Sequence, residues 1–282
     1  MISMEPRGES PANDTKTIFK PIHGRFWPIL VGILIALALG FWIALTPPGF
    51  WAKLRLIGYA VCHQIPSHSF FEAGNQFPLC ARCTGMYLGS LLGLGFTWLQ
   101  GKRSSFPPLW VWIIFAIFFL SFALDGINSA IGLLPGFRQV YPSQNWLRLA
   151  TGLGMGMAMG SLLVVAFTQA VWKNALDSKI FRQGRYFLAM VLAALFAGSL
   201  VLWGPALLKQ LLMIFSTVGV VVMLTLIYTV PAGLLLFGQS KVNSRWALYL
   251  ALSIGFLLMT LQLGGFAYLR FLITGTLLPI NL

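Results

Sequence analysis

Long apolar runs separated by short polar breaks dominate the chain. Runs at 27–45, 81–99, 109–124, 146–172, 186–203, 209–237 and 246–269 each approach the roughly 20 apolar residues a helix needs to cross a hydrocarbon core. They predict an all-α polytopic membrane helix bundle of about seven transmembrane helices. Pro107-Pro108, Gly204-Pro205 and Pro231 are expected at run ends, where proline's missing N–H costs least. Between the first two runs, Lys53 and Arg55 sit among Leu54, Ile57 and Val61. The i, i+3, i+7 apolar spacing over Phe50–Val61 predicts a short amphipathic helix, too charged to span, lying in the interface. Residues 1–25 lack apolar periodicity and read as a disordered cytoplasmic tail, with the bundle over 26–282. The 27–45 run is longer than a secretory signal core and no small-residue cleavage pattern follows it, so it is expected to be retained as a span.

Composition sharpens this picture. The chain is 58% hydrophobic and 9% charged over 282 residues, far below the charge content of soluble domains. That leaves no length for a sizeable soluble domain, so function must sit in the helices or short loops. The net charge of +13 is spread over many loops rather than gathered on one face. It fits contact with the lipid bilayer and its anionic headgroups, and nucleic acid is not expected as a partner.

Alternate loops differ in basic content. The larger share of the 19 Lys and Arg falls before the first predicted span and after the second, fourth and sixth. Lys53, Arg55, Arg82, Arg138, Arg148, Lys209 and Arg270 fall on the other side. The positive-inside rule then puts the N-terminus in the cytoplasm and the 46–79 loop outside a plasma membrane.

That outer loop and the helix after it hold all 3 cysteines: Cys62-His63-Gln64, then Cys80-Ala81-Arg82-Cys83-Thr84-Gly85. Asp125, Gly126 and Asn128 at the end of the third span, and Asn145, Arg148, Thr151 and Gly152 at the start of the fourth, share that face. Gly85, Gly89 and Gly93 recur every four residues, as do Gly152, Gly156 and Gly160. Such small-xxx-small faces let helix backbones meet. If these two meet each other, Cys80, Arg82 and Cys83 stand beside Asn145 and Arg148.

The ordered pieces Cys-His-Gln, Cys-x-Arg-Cys-x-Gly, Asp125-Gly126 and Asn145-x-x-Arg148-x-x-Thr151-Gly152 resemble a family of prokaryotic predicted membrane proteins grouped as a domain of unknown function. The resemblance covers about residues 56–165. It implies a prokaryotic membrane location and a cysteine-rich site, and no established activity.

The residues themselves leave several chemistries open. Three thiolates and an imidazole are a common tetrahedral zinc set, and Cys80 and Cys83 have the two-residue gap that lets one turn supply two ligands. Cys62 and His63 complete the set, although adjacent residues point apart on regular structure, so one of them, or His68, is expected to join the pair. A second reading is membrane thiol-disulfide exchange linked to a quinone, with Cys80 activated by the helix N-terminus and Arg82. A structural Cys80–Cys83 disulfide is a third. Asp125 is expected either to pair with Arg148 or Arg82, or to act as a ligand or base while Arg82, Asn145 and Arg148 hold an anionic headgroup. His68 and Glu72 are expected in solvent, and His23 has no assigned role. A passive transporter, or a scaffold docking another membrane protein, stays open beside these.

Overall fold

A computed structural model describes residues 26–132, 134, 136–172, 175–237 and 245–277. The 1–25 tail and His23 lie outside the described residues. In order, the chain forms α1 (Phe26–Leu45), α2 (Phe50–Val61), β1 (Ser69–Glu72), β2 (Asn75–Cys80), α3 (Ala81–Trp98), β3 (Arg103–Ser105), α4 (Leu109–Ile131), α5 (Asn145–Val171), β4 (Leu176–Lys179), α6 (Gly184–Trp203), α7 (Ala206–Phe237) and α8 (Arg245–Thr274). Among the described residues five helices, α4 to α8, are long and apolar enough to cross a membrane. α3 falls short of that measure, and α1 carries a shorter apolar stretch, Ile29–Ala44, among the described residues, so the structure supports a membrane-type helical bundle at a coarser level than a count of seven.

Three features depart from the sequence reading. The fold is helical but not purely so. An antiparallel β1–β2 hairpin and a parallel β3–β4 pair lie at opposite ends of α3. α4 runs on to Ile131, so Asp125, Gly126 and Asn128 sit inside the helix rather than after it. Pro231 lies within α7 rather than at its end. A proline there removes one i to i−4 bond, a loss tolerated in apolar bundles where neighbouring groups satisfy the freed carbonyl.

The centre of the fold is the α3–α5 crossing. Gly85, Gly89 and Gly93 on α3 face Leu149, Leu153 and Met157 on α5, while Gly152, Gly156 and Gly160 face Arg82, Met86 and Ser90. At each of these glycines a side-chain carbon would collide with a backbone carbonyl of the other helix. The two stripes therefore do meet, and this close approach explains why glycine occupies both. α5 is the most enclosed of the candidate spans, whereas α4 keeps Leu109, Ile113, Ile117, Leu120 and Leu124 on the outside. Apolar surface turned outward over a helix of 23 residues suits lipid and not water.

Candidate metal centre

Local structure brings the three cysteines together. α2 ends at Val61, with Cys62 as its C-cap in extended conformation. The chain then turns through Pro66–His68 into the β1–β2 hairpin. Its two-residue turn, Ala73-Gly74, has φ of 48° and 75°, the double-positive geometry that matches strand twist in tight hairpins. β2 carries the chain back so that Cys80 lies opposite Ser69 and caps the N-terminus of α3. Gly58 makes this return possible, because any side chain there would strike the Pro78 carbonyl.

The Sγ atoms of Cys62, Cys80 and Cys83 all lie within 4.8 Å of one another. All three are free thiols, so the Cys80–Cys83 disulfide is not formed. The Cys80 backbone N–H donates to Cys62 Sγ at 3.2 Å. Thiol hydrogen bonds from Cys80 and then Cys83 hold the Cys62 thiol well below its ordinary range. Donating to Cys62 pushes the Cys80 thiol up. The hydrogen bonds that Cys62 accepts favour its charged form, a cause separate from the helix-end effect expected at Cys80.

His63 stands at the edge of this group: its Nδ1 is 3.8 Å from Cys62 Sγ. His68 is further along the same rim, with ring centroids 5.6 Å apart. Burial, followed by the charge of Arg148, pushes the His68 imidazole down to about 4.

Gln64, the third residue of the Cys-His-Gln motif, is a strut. It has φ 54°, is buried, and donates from Nε2 to the carbonyls of Arg55 at 2.8 Å and Pro78 at 2.7 Å. Its own carbonyl accepts Gln76 Nε2 at 2.8 Å. These bonds tie α2 to β2 and so fix Cys62 against Cys80.

Arg82, between the paired cysteines, is committed to Asp125. Its Nε donates to Oδ2 at 3.1 Å and its Nη2 bonds the same oxygen, the Asp125 carbonyl at 3.0 Å and Ser129 Oγ at 2.9 Å. Tyr141 donates to Oδ1 at 3.2 Å. Asn128 holds the 140–143 turn through Val140 N–H at 2.8 Å and the Tyr141 carbonyl at 2.9 Å. Of the expected partners for Asp125 the structure takes Arg82, which removes Arg82 from the headgroup-binding role.

Arg148 behaves differently. It is 3% exposed and its Nη1 donates to Asn145 Oδ1 at 2.8 Å. Asn145 in turn donates to the carbonyls of Ser67 and Ser69, both at 3.3 Å. Asn145 and Arg148 thus reach the segment that joins Cys62 to Cys80. Glu72, expected in solvent, pairs with Lys209 at 3.4 Å.

The residue missed from the sequence is Arg270 on α8. It donates from Nη1 to the carbonyls of Tyr59, at 2.7 Å, and Cys62, and from Nη2 to His63 at 3.0 Å, while stacking over the Tyr59 ring at 4.0 Å. It caps the C-terminus of α2 with a cation, the favourable sign there. The available signal was topological: loop counting already placed Arg270 at the cysteine end.

The donor set fits a thiophilic ion. Zinc sits about 2.3 Å from each thiolate, which places tetrahedral sulfurs about 3.8 Å apart. Three sulfurs already mutually within 4.8 Å need only small rotations to reach that.

Comparison with known proteins agrees with the family resemblance. Residues 62–162 match the family model described as Predicted membrane protein (DUF2085). An uncharacterized protein of Methanocaldococcus jannaschii is 34% identical over 131 residues, which is 44% of this chain and 78% of that protein. An uncharacterized protein of Methanothermobacter thermautotrophicus is 30% identical over 105 residues, 37% of this chain and 86% of that protein. No solved structure matches. The matched stretch contains the three cysteines, Arg82, Asp125, Asn145 and Arg148, while Arg270 falls beyond it. The chain belongs to the DUF2085 family of predicted membrane proteins.

Proposed function

We propose that the protein is a multi-pass membrane protein whose function is built on a zinc ion held by Cys62, Cys80 and Cys83. The observation that carries this reading is the convergence of three free sulfurs from two separate segments. His63, with Nδ1 beside Cys62 Sγ, supplies the fourth ligand. The ligands come from a loop, a strand end and the first turn of α3, and the first two are braced by the Cys80 N–H and by the Gln64 bonds that tie α2 to β2, as a preorganised metal site requires. Soft sulfur donors favour zinc and disfavour magnesium or calcium.

The test is elemental analysis of detergent-purified protein beside a Cys80→Ser, Cys83→Ser variant. One zinc per chain in the first and none in the second is expected. Equal, sub-stoichiometric metal in both sinks the reading.

The same proposal puts this end of the bundle on the outer face of a prokaryotic plasma membrane and the N-terminus in the cytoplasm, supported by the excess of basic residues in the opposite loops. Asn75 is exposed at the hairpin tip, whereas Cys62 and Cys80 are buried. An Asn75→Cys variant is therefore expected to react with an impermeant maleimide in intact cells. Labelling only after the cells are opened reverses the orientation.

A further inference from the structure

Between α1, α2, α7 and α8 the packing leaves a groove of about 220 Å³. Its wall includes Leu39 and Trp42 of α1, Leu56 and Ile57 of α2, and Met259 and Gly264 of α8. Leu39 and Gly264 are exposed at its edge, and a side chain added at Gly264 would meet only open space. The Thr260 hydroxyl in the wall spends its bond on the Phe256 carbonyl at 2.9 Å. Apolar space of this kind stays dry and takes up hydrocarbon.

Depth and mouth narrow the occupant. Arg270 of α8 reaches Cys62, and Lys209 near the start of α7 pairs with Glu72 of the hairpin, so depth along both helices is measured from the cysteine end. Val221 and Phe256 form the deep end of the groove, and Trp42, Leu56 and Ala267 the shallow end. Between Ala267 and Phe256 α8 rises about 16 Å, close to the roughly 15 Å of hydrocarbon in one leaflet. At the shallow end stands Lys53, on the same face of α2 as Leu56 and Ile57. Its Nζ donates to the Ile43 carbonyl at 3.0 Å and to Thr46 Oγ1 at 2.6 Å, and lies 5.4 Å from the centre of the Trp42 ring. An ammonium has three donors, so one is left over, and among the described residues no carboxylate pairs with it. A cation at the mouth of a hydrocarbon slot one leaflet deep matches an amphiphile with an anionic head. Ile57 and Leu263 in the wall also pack against the cluster of Cys62 and Cys80, so the groove backs onto the cysteine centre.

We propose that this groove binds one anionic phospholipid from the leaflet at the cysteine end. One acyl chain lies along α8 between Ala267 and Phe256, and the phosphate meets the Lys53 ammonium. The site depends neither on a metal at the cysteines nor on which side of the membrane that end faces.

The experiment is native mass spectrometry of the full chain released from detergent, with phosphatidylglycerol and phosphatidylcholine added in turn. Wild type is expected to retain one phosphatidylglycerol per chain in preference to phosphatidylcholine. Lys53→Gln should lower that preference about fivefold, the equivalent of about 1 kcal/mol for one cation beside anionic lipid. Arg55→Gln, which removes an equal charge from another face of α2, should leave it unchanged. Gly264→Leu fills the groove and should abolish retention of both lipids. Gly265→Leu also adds a side chain in open space but outside the groove wall, and should keep both. If Gly264→Leu does not fold, Ala267→Leu fills the same groove and carries the same expectation. Wild type that retains no lipid overturns the proposal. So does a groove-filled variant that binds as wild type does, or a Gly265→Leu variant that loses as much. An unchanged preference in Lys53→Gln, or an equal fall in Arg55→Gln, shows that the headgroup is not held at Lys53 and overturns it as well.

Discussion

Replacing Asp125 by Asn tests whether the Arg82–Asp125 pair is what anchors the first turn of α3. The substitution keeps the side-chain shape and removes the charge. Asp125 is 1% exposed and its carboxylate takes two bonds from Arg82 and one from Tyr141. Without it Arg82 is left as a largely enclosed cation, with Ser129 and the residue 125 carbonyl as its remaining acceptors. Breaking a buried pair from one side costs about 3–5 kcal/mol. The Arg82 side chain retains 17% exposure, which places the expected loss at the lower end, about 3 kcal/mol. For a chain of this size that corresponds to a melting temperature lower by about 6–12 °C. The assay is thermal unfolding in detergent followed by intrinsic fluorescence. Removing Arg82 as well, as Arg82→Gln with Asp125→Asn, should recover part of the loss, because no charge is then stranded. A single Asn variant melting within about 2 °C of wild type, or a double variant worse than the sum of its parts, refutes the account.

Gly152→Ala should force α3 and α5 apart and cost about 1–3 kcal/mol, since the added methyl meets the Arg82 carbonyl. Gly95→Ala, on the same α3 but facing open space, should be neutral or slightly stabilising in the same melt, and equal losses for the two defeat the packing argument. His68, pushed down to about 4, should titrate near that value by NMR. Its folded pKa lies below that of the unfolded chain, so its contribution to stability is present above about 6.5 and is lost as pH falls toward 4; a folded-state midpoint at or above 6.5 counts against the burial assigned to it. Arg270→Ala should free the end of α2, seen as faster hydrogen exchange at the amides of His63 and Gln64, and unchanged exchange there removes its clamping role.

Much of this architecture can be read from local pattern. Phe50–Val61 was bounded by its own charge and periodicity and forms α2 at those limits. The glycine stripes on α3 and α5 could be paired because few other faces in the chain admit backbone contact. Helix ends were harder. The predicted 109–124 run stops where apolar residues stop, yet α4 continues to Ile131 because Asp125, Asn128 and Ser129 find partners in Arg82 and the 140–143 turn. Tertiary satisfaction of polar groups leaves no mark on hydropathy. The site shows the same division. That the cysteines gather was legible from spacing, but the hydrogen bonds that Cys62 Sγ accepts from the Cys80 N–H and the neighbouring thiols exist only because the hairpin returns. Arg270 lies more than two hundred residues from Cys62 in sequence, and no local signal joins them.

α3, which carries Cys83 and Arg82 and has Cys80 at its N-cap, is not among the described helices long and apolar enough to cross a membrane. Its glycines, Arg82 and Thr84 are sheltered by later parts of the chain: α5 supplies the matching groove and α4 supplies Asp125. During synthesis α3 emerges first and waits for both. The surroundings of the cysteine cluster are therefore completed only once α4 and α5 are in place, and a chain truncated before α5 would present the cysteines without Asp125 to hold Arg82 or the groove that receives α3.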